Sequence, residues 1–143
     1  MRIDKLGIIT QIALPGAIFA AAIEDAFLEL TNYQQITFLI DSGEGAAGNT
    51  TITLEAKSGE DGAAVAVPFM YIEKGESEYA EVESATFEIG GASGESKYAA
   101  VTITANMLAK GEYDRVAINT TAVDESTVNG SIIAIQTKPR FSE

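Results

Sequence analysis

The sequence predicts an all-β protein: an antiparallel β-sandwich, jelly-roll-like first and immunoglobulin-like second, with an apolar N-terminal arm or short helix. Three observations carry that reading. Apolar and polar residues alternate over about eight short runs, the period of strands buried on one face and wet on the other. Clusters of Gly, Asp, Glu, Ser and Asn separate the runs and supply turns. No stretch keeps helical periodicity long enough for a long helix. With 143 residues, 46% of them hydrophobic and 21% charged, the chain is one domain's worth and can bury a core without a disulfide or metal staple.

Residues 1–26 differ in composition from the rest and are expected to form an arm, with apolar residues at Ile3, Leu6, Ile8, Ile9, Ile12, Leu14, Ile18, Phe19 and Ile23. The alanine-rich segment AIFAAAIEDAF suits a brief helix, whereas the Pro15 and Gly16 before it suit an extended course, and both readings stand. Residues 27–143 form the sandwich domain, beginning with a short strand at 27–30. Over residues 33–62 Ile36, Phe38 and Ile40 alternate with Gln35, Thr37 and Asp41, and Ile52, Leu54 and Ala56 alternate with Thr51, Thr53 and Glu55. The glycine-rich stretch between them reads as the link of a hairpin, since glycine takes positive φ without penalty.

Residues 63–72 return as a strand broken at Pro68, which favours an edge or bulge. Residues 73–83 hold five glutamates against Lys74 and read as a solvated loop, because clustered like charges resist compaction. Ala85, Phe87 and Ile89 mark the next strand, closed by GGASGES. Ala99, Val101 and Ile103 share one face of the following one. Residues 107–111 connect it to a strand with Val116 and Ile118 inward. In the last strand Ile132, Ile133 and Ile135 place apolar side chains on both faces, so it is either central or covered. Tyr113 in MLAKGEYDRV suits a tyrosine corner or simply a partly buried tyrosine.

Composition excludes several functions. Nine basic residues against 21 acidic ones give a formal charge of -12, a field that repels phosphate backbones, so no nucleic-acid partner is expected. Cysteine and histidine are both absent. That removes thiolate nucleophiles, zinc-thiolate sites, Ser-His and Cys-His pairs and the usual general base near neutral pH, and it fits synthesis in a reducing cytoplasm. The apolar run at 17–23 is too short for a membrane span and is followed at once by Glu24 and Asp25. Acidic turns at Asp41, Glu60 and Asp124 offer oxygens of the kind calcium takes, yet their spacing matches no EF-hand. No motif fixes a carboxylate pair for glycoside hydrolysis, and GASGES lacks the lysine of a phosphate loop. The chain is therefore expected to be no enzyme and to need no cofactor.

The phrases LELTNYQQITFLIDSGEGAAGNTTITLEAKSGEDGAAVAVP, KYAAVTITA and YDRVAINTTAVDESTVNGSIIAIQTKPRF resemble the small virion proteins of tailed bacteriophages encoded near the major capsid protein. The likeness lies in strand and turn phrases at residues 32–40, 55–62 and 133–140; Ala64 to Val67 stand where that pattern has a tryptophan. The resemblance implies a structural protein on the capsid exterior that decorates or cements the shell by binding the major capsid protein. A head-to-tail or tail component and a carbohydrate-binding or adhesin-like module are the alternatives. A domain of this size has limited room to hide every apolar residue, and surplus apolar surface marks interfaces. Ile8, Ile9, Ile12, Ile18, Phe19 and Ile133 are accordingly the expected partner contacts, and a homo-oligomer, dimer or trimer, is the expected form.

Overall fold

The alternating runs become eleven strands in the computed structural model, which describes residues 7–30, 33–92, 96–109 and 112–139. Ile3 and Leu6, the middle of GGASGES and Arg140 lie outside the described residues. One sheet has six antiparallel strands in the order β1 (Gly7–Gly16), β11 (Gly130–Pro139), β3 (Tyr33–Ser42), β9 (Lys97–Thr104), β6 (Phe69–Glu73) and β7 (Ala80–Val82). The facing sheet runs β2 (Leu28–Glu29), β10 (Arg115–Thr120), β4 (Gly45–Lys57) and β5 (Val65–Val67). β8 (Ala85–Gly91) also pairs with β4. Leu54 lies between Ile118 and Val67, and Ile52 between Thr120 and Ala85, so β5 and β8 follow one another along the same edge of β4.

The sets β1-β11-β3-β9 and β2-β10-β4-β8 are the two four-stranded sheets of a jelly roll, and β5, β6 and β7 are an insertion that widens both. Pro68 stands where the chain leaves β5 in one sheet for β6 in the other, which is why the run at 63–72 comes in two pieces. The inner faces close on each other as the alternation requires. Ile36, Phe38, Ile40, Ile52, Leu54, Phe87, Val101, Ile103, Val116 and Ile118 are all buried. Phe19 joins them, its ring centroid 6.4 Å from that of Phe87. Gly130 makes room for Phe19, because a Cβ there would stand 2.4 Å from the ring.

Four local readings are corrected. Residues 33–62 are not a hairpin: both edges of β3 are taken by β11 and β9, and β4 lies in the other sheet. The link between them is a crossing from sheet to sheet, tied by the Gly90 N–H donating to the buried Ser42 Oγ at 3.0 Å. Residues 7–16 are a strand on β11, and only Ile18–Ala20 coil, as one 3-10 turn. Within the acidic stretch, Ala80–Val82 pair with β6 as β7. The connection after β9 holds a short helix, α1 (Ala105–Ala109), whose start is marked by Thr104 Oγ1 accepting from the Met107 N–H at 3.3 Å, an N-cap contact.

Tyr71, in the core margin, donates its hydroxyl to Glu73 Oε1 at 2.7 Å. Burial, then that hydrogen bond and the charges of Glu73 and Glu76, push its pKa well above the ordinary phenol value.

Two tests follow from this packing. Phe38→Ala should cost about 3 to 5 kcal/mol, whereas Leu39→Ala, one residue on but facing outward, should cost no more than about 1 kcal/mol; urea unfolding of both variants checks the register. Below about pH 10, the phenol value of an unfolded chain, the Tyr71 contribution to stability is fully present. Above it the unfolded chain gives up a proton that the folded one keeps, so stability falls as pH rises. Tyr71→Phe should flatten that fall in urea midpoints taken from about pH 9 to pH 11.

Candidate functional site

The inner residues of a strand dictate its outer ones, and in the six-stranded sheet the outward positions are unusual. Across the strands one row reads Ile9, Ile135, Thr37, Thr102, Met70 and Glu81. The next reads Gln11, Ile133, Leu39, Ala100 and Ile72. Flanking rows hold Thr137, Gln35 and Thr104 on one side and Ser131, Asp41 and Tyr98 on the other. Charge enters these rows only at the rim, with Glu81 on the edge strand, Asp41 near one end and Lys74 beyond Tyr98. Antiparallel sheets ordinarily turn a polar face to water; this one turns isoleucine, leucine, methionine and threonine.

The polar groups on this face satisfy one another. The Thr37 and Thr102 hydroxyls lie 3.1 Å apart, and Gln35 Nε2 donates to Thr37 Oγ1 at 3.4 Å. Leu39 at the centre is 38% exposed, Ile9 on the edge strand 51% and Tyr98 at the rim 53%. Tyr79 stands beside Gln35, Met70 and Thr102 around a shallow hollow of about 250 Å³. At the rim Asp41 is committed internally: its carboxylate accepts from the Ser131 N–H at 2.8 Å and from the Ser131 hydroxyl at 2.9 Å.

The outer side of the other sheet is built differently. Glu55 and Lys57 of β4 and Arg115 of β10 share its outward side, Arg115 lies 3.9 Å from Glu29 of β2, and Glu88 of β8 takes an ion pair from Lys97. The protein therefore has one charged sheet face and one nearly uncharged one.

Of the six expected contacts the structure brings two, Ile9 and Ile133, onto the uncharged face. Ile8 is exposed but points to the opposite side of β1. Ile12 falls at the irregularity between Gln11 and Ala13 and packs against the core, as does Ile18. Phe19 is sealed inside, because β1 delivers it over Gly130 into the space beside Phe87. Sequence reasoning passed over Leu39, Ile72 and Met70, and noted Ile135 only as part of a strand apolar on both faces. The signal was there: each is an apolar residue on the outward beat of its strand.

Among the described residues no three acidic side chains converge as a metal site, and no helix is long and apolar enough to cross a membrane. A cleft of about 460 Å³ lies at the sheet end beside Tyr98, Lys97, Asn129 and Pro15.

No known protein family matches this chain, and no curated protein matches it in sequence. Among solved structures it is similar to the SPBc2 prophage-derived protein YomS, with a TM-score of 0.58 over 92% of each chain at 12% sequence identity. At that identity the likeness extends to the fold.

Proposed function

We propose that this chain is a structural protein of a tailed-bacteriophage particle that decorates or cements the capsid, held against the major capsid protein by the outer face of its six-stranded sheet. The observation that carries the reading is that face: a broad, nearly uncharged surface on a molecule of formal charge -12. Apolar patches of this kind mark contact surfaces, and the acidic remainder keeps the protein soluble and away from packaged DNA. The fold supports the reading in two ways. Jelly rolls recur in viral capsid and lectin domains, and the similar YomS is prophage-derived. The work is adhesion, to which a rigid sheet face contributes area and the self-satisfied threonine pair adds no unmet polar group.

Co-sedimentation of the purified protein with capsids of its own phage tests this. Leu39→Lys sets a charge in the centre of the face at a half-exposed position, so the variant should fold as the parent does and bind capsids at least about tenfold more weakly, 1.4 kcal/mol or more. Undiminished binding by the folded variant, or sedimentation with isolated tails in place of capsids, would overturn the proposal.

A further inference from the structure

Two open sheets leave four lateral edges, and an edge strand with unpaired N–H and C=O groups is a template for another strand unless it is short, charged or interrupted. Three of the four edges are defended in that way. β7 has three residues, carries Glu81 and is flanked by Glu78 and Glu83. β2 has two residues and ends in Glu29 beside Arg115. β5 has three residues and stops at Pro68, and the edge it shares continues as β8 with Glu88.

β1 has none of these defences in its first half. It is ten residues long, GIITQIALPG, without a single charged side chain. From Gly7 to Gln11 it follows β11 in unbroken register, and among the described residues no strand lies on its other side. The irregularity after Gln11 and Pro15 beyond it confine the open edge to that first half. Ile8 and Ile9 stand half-exposed on opposite sides of this segment.

We infer that the free edge of β1, over Gly7 to Gln11, pairs antiparallel with the same segment of a second copy across a two-fold axis, joining the two six-stranded sheets into one. Three features select a second copy as the occupant. An antiparallel strand is its own complement, so a two-fold axis sets each backbone donor against an acceptor with no demand on sequence. Each copy carries a formal charge of -12, and β1 is the edge at which two copies meet with no charged side chain from either strand. The pairing also sets the outward Ile9 and Gln11 of one copy next to those of the other, so the uncharged faces run on across the axis as a single surface. The inference does not rest on the capsid reading, since it uses the edge of the sheet and not its face.

The chain contains no cysteine, which makes the test direct. Sedimentation equilibrium of the full chain should give twice the 15.0 kDa of one copy. Single variants Ile8→Cys, Ile9→Cys, Thr10→Cys and Gln11→Cys, left to oxidise in air, should form disulfide dimers at one or two neighbouring positions only, because a bridge needs Cα atoms within about 4.4 to 6.8 Å. Leu39→Cys on the face and Val65→Cys on β5 should stay uncross-linked. Ile8→Lys should weaken the dimer at least about tenfold with an unchanged far-ultraviolet circular dichroism spectrum, while Leu39→Lys should leave it intact even where capsid binding is lost. A single-copy mass at sub-millimolar concentration, a dimer indifferent to Ile8→Lys, or cross-links at Leu39 or Val65 and none along β1 would overturn the inference.

Discussion

The structure depends on one layer of side chains shared by two sheets. Stacked sheets stand about 10 Å apart, a gap that the inward residues of β3, β11 and β9 must fill jointly with those of β4, β10 and β8. The chain changes sheet at nearly every connection; only β4 to β5 and β6 to β7 stay within one. Neighbours in sequence therefore face each other across the core and do not pair. Two polar groups that reach the layer are met there: Gln136 Nε2 donates to the Glu29 carbonyl at 2.8 Å, and Ser42 Oγ receives the Gly90 N–H, whereas the buried Thr120 hydroxyl finds no partner among the described residues. Those two contacts bridge the sheets where apolar packing alone would leave buried polar atoms unmatched.

This crossing habit explains which parts of the molecule were legible in the sequence. Alternation reports which residues of a strand are buried, so Phe38, Ile52 and Val101 could be assigned to the core one by one. It does not report which strand lies alongside, since a hairpin partner and a facing strand leave the same pattern. The stretch at 33–62 therefore gave correct strands and a wrong pairing. The two-faced character of Ile132 to Ile135 left β11 either central or covered, and it lies centrally, between β1 and β3. Phe19 was misassigned as a contact because its fate turns on Gly130, more than a hundred residues away, where the missing Cβ opens its berth.

The uncharged face was half legible for a related reason. Ile9 and Ile133 stood out in strands visibly rich in isoleucine, but Leu39 sits between Phe38 and Ile40 and reads as part of an ordinary apolar run. Only the register, which brings Ile133, Leu39, Ala100 and Ile72 side by side, turns scattered residues into a surface. The opposite sheet turns charge outward instead, with Glu55, Lys57 and Arg115 on its outer side. On the function proposed above, the contrast between the two faces would tie adhesion to a definite side of the molecule.

The pairing of β1 with β11 has a consequence for how the protein comes into being. Gly7 lies opposite Thr137 and Gly16 opposite Gly130, so a first strand waits for a last one. While the ribosome is still at work, β3 lacks the neighbour that β11 supplies, and Ile36, Phe38 and Ile40 have half a sheet to bury them. Topologies dominated by such distant pairings fold slowly, and unpaired strands in the interval invite aggregation. Synthesis must therefore deliver residues 130–139 before the six-stranded sheet can close, whereas the facing sheet has all its strands once β10 is made; until then the acidic charge of the chain opposes its aggregation.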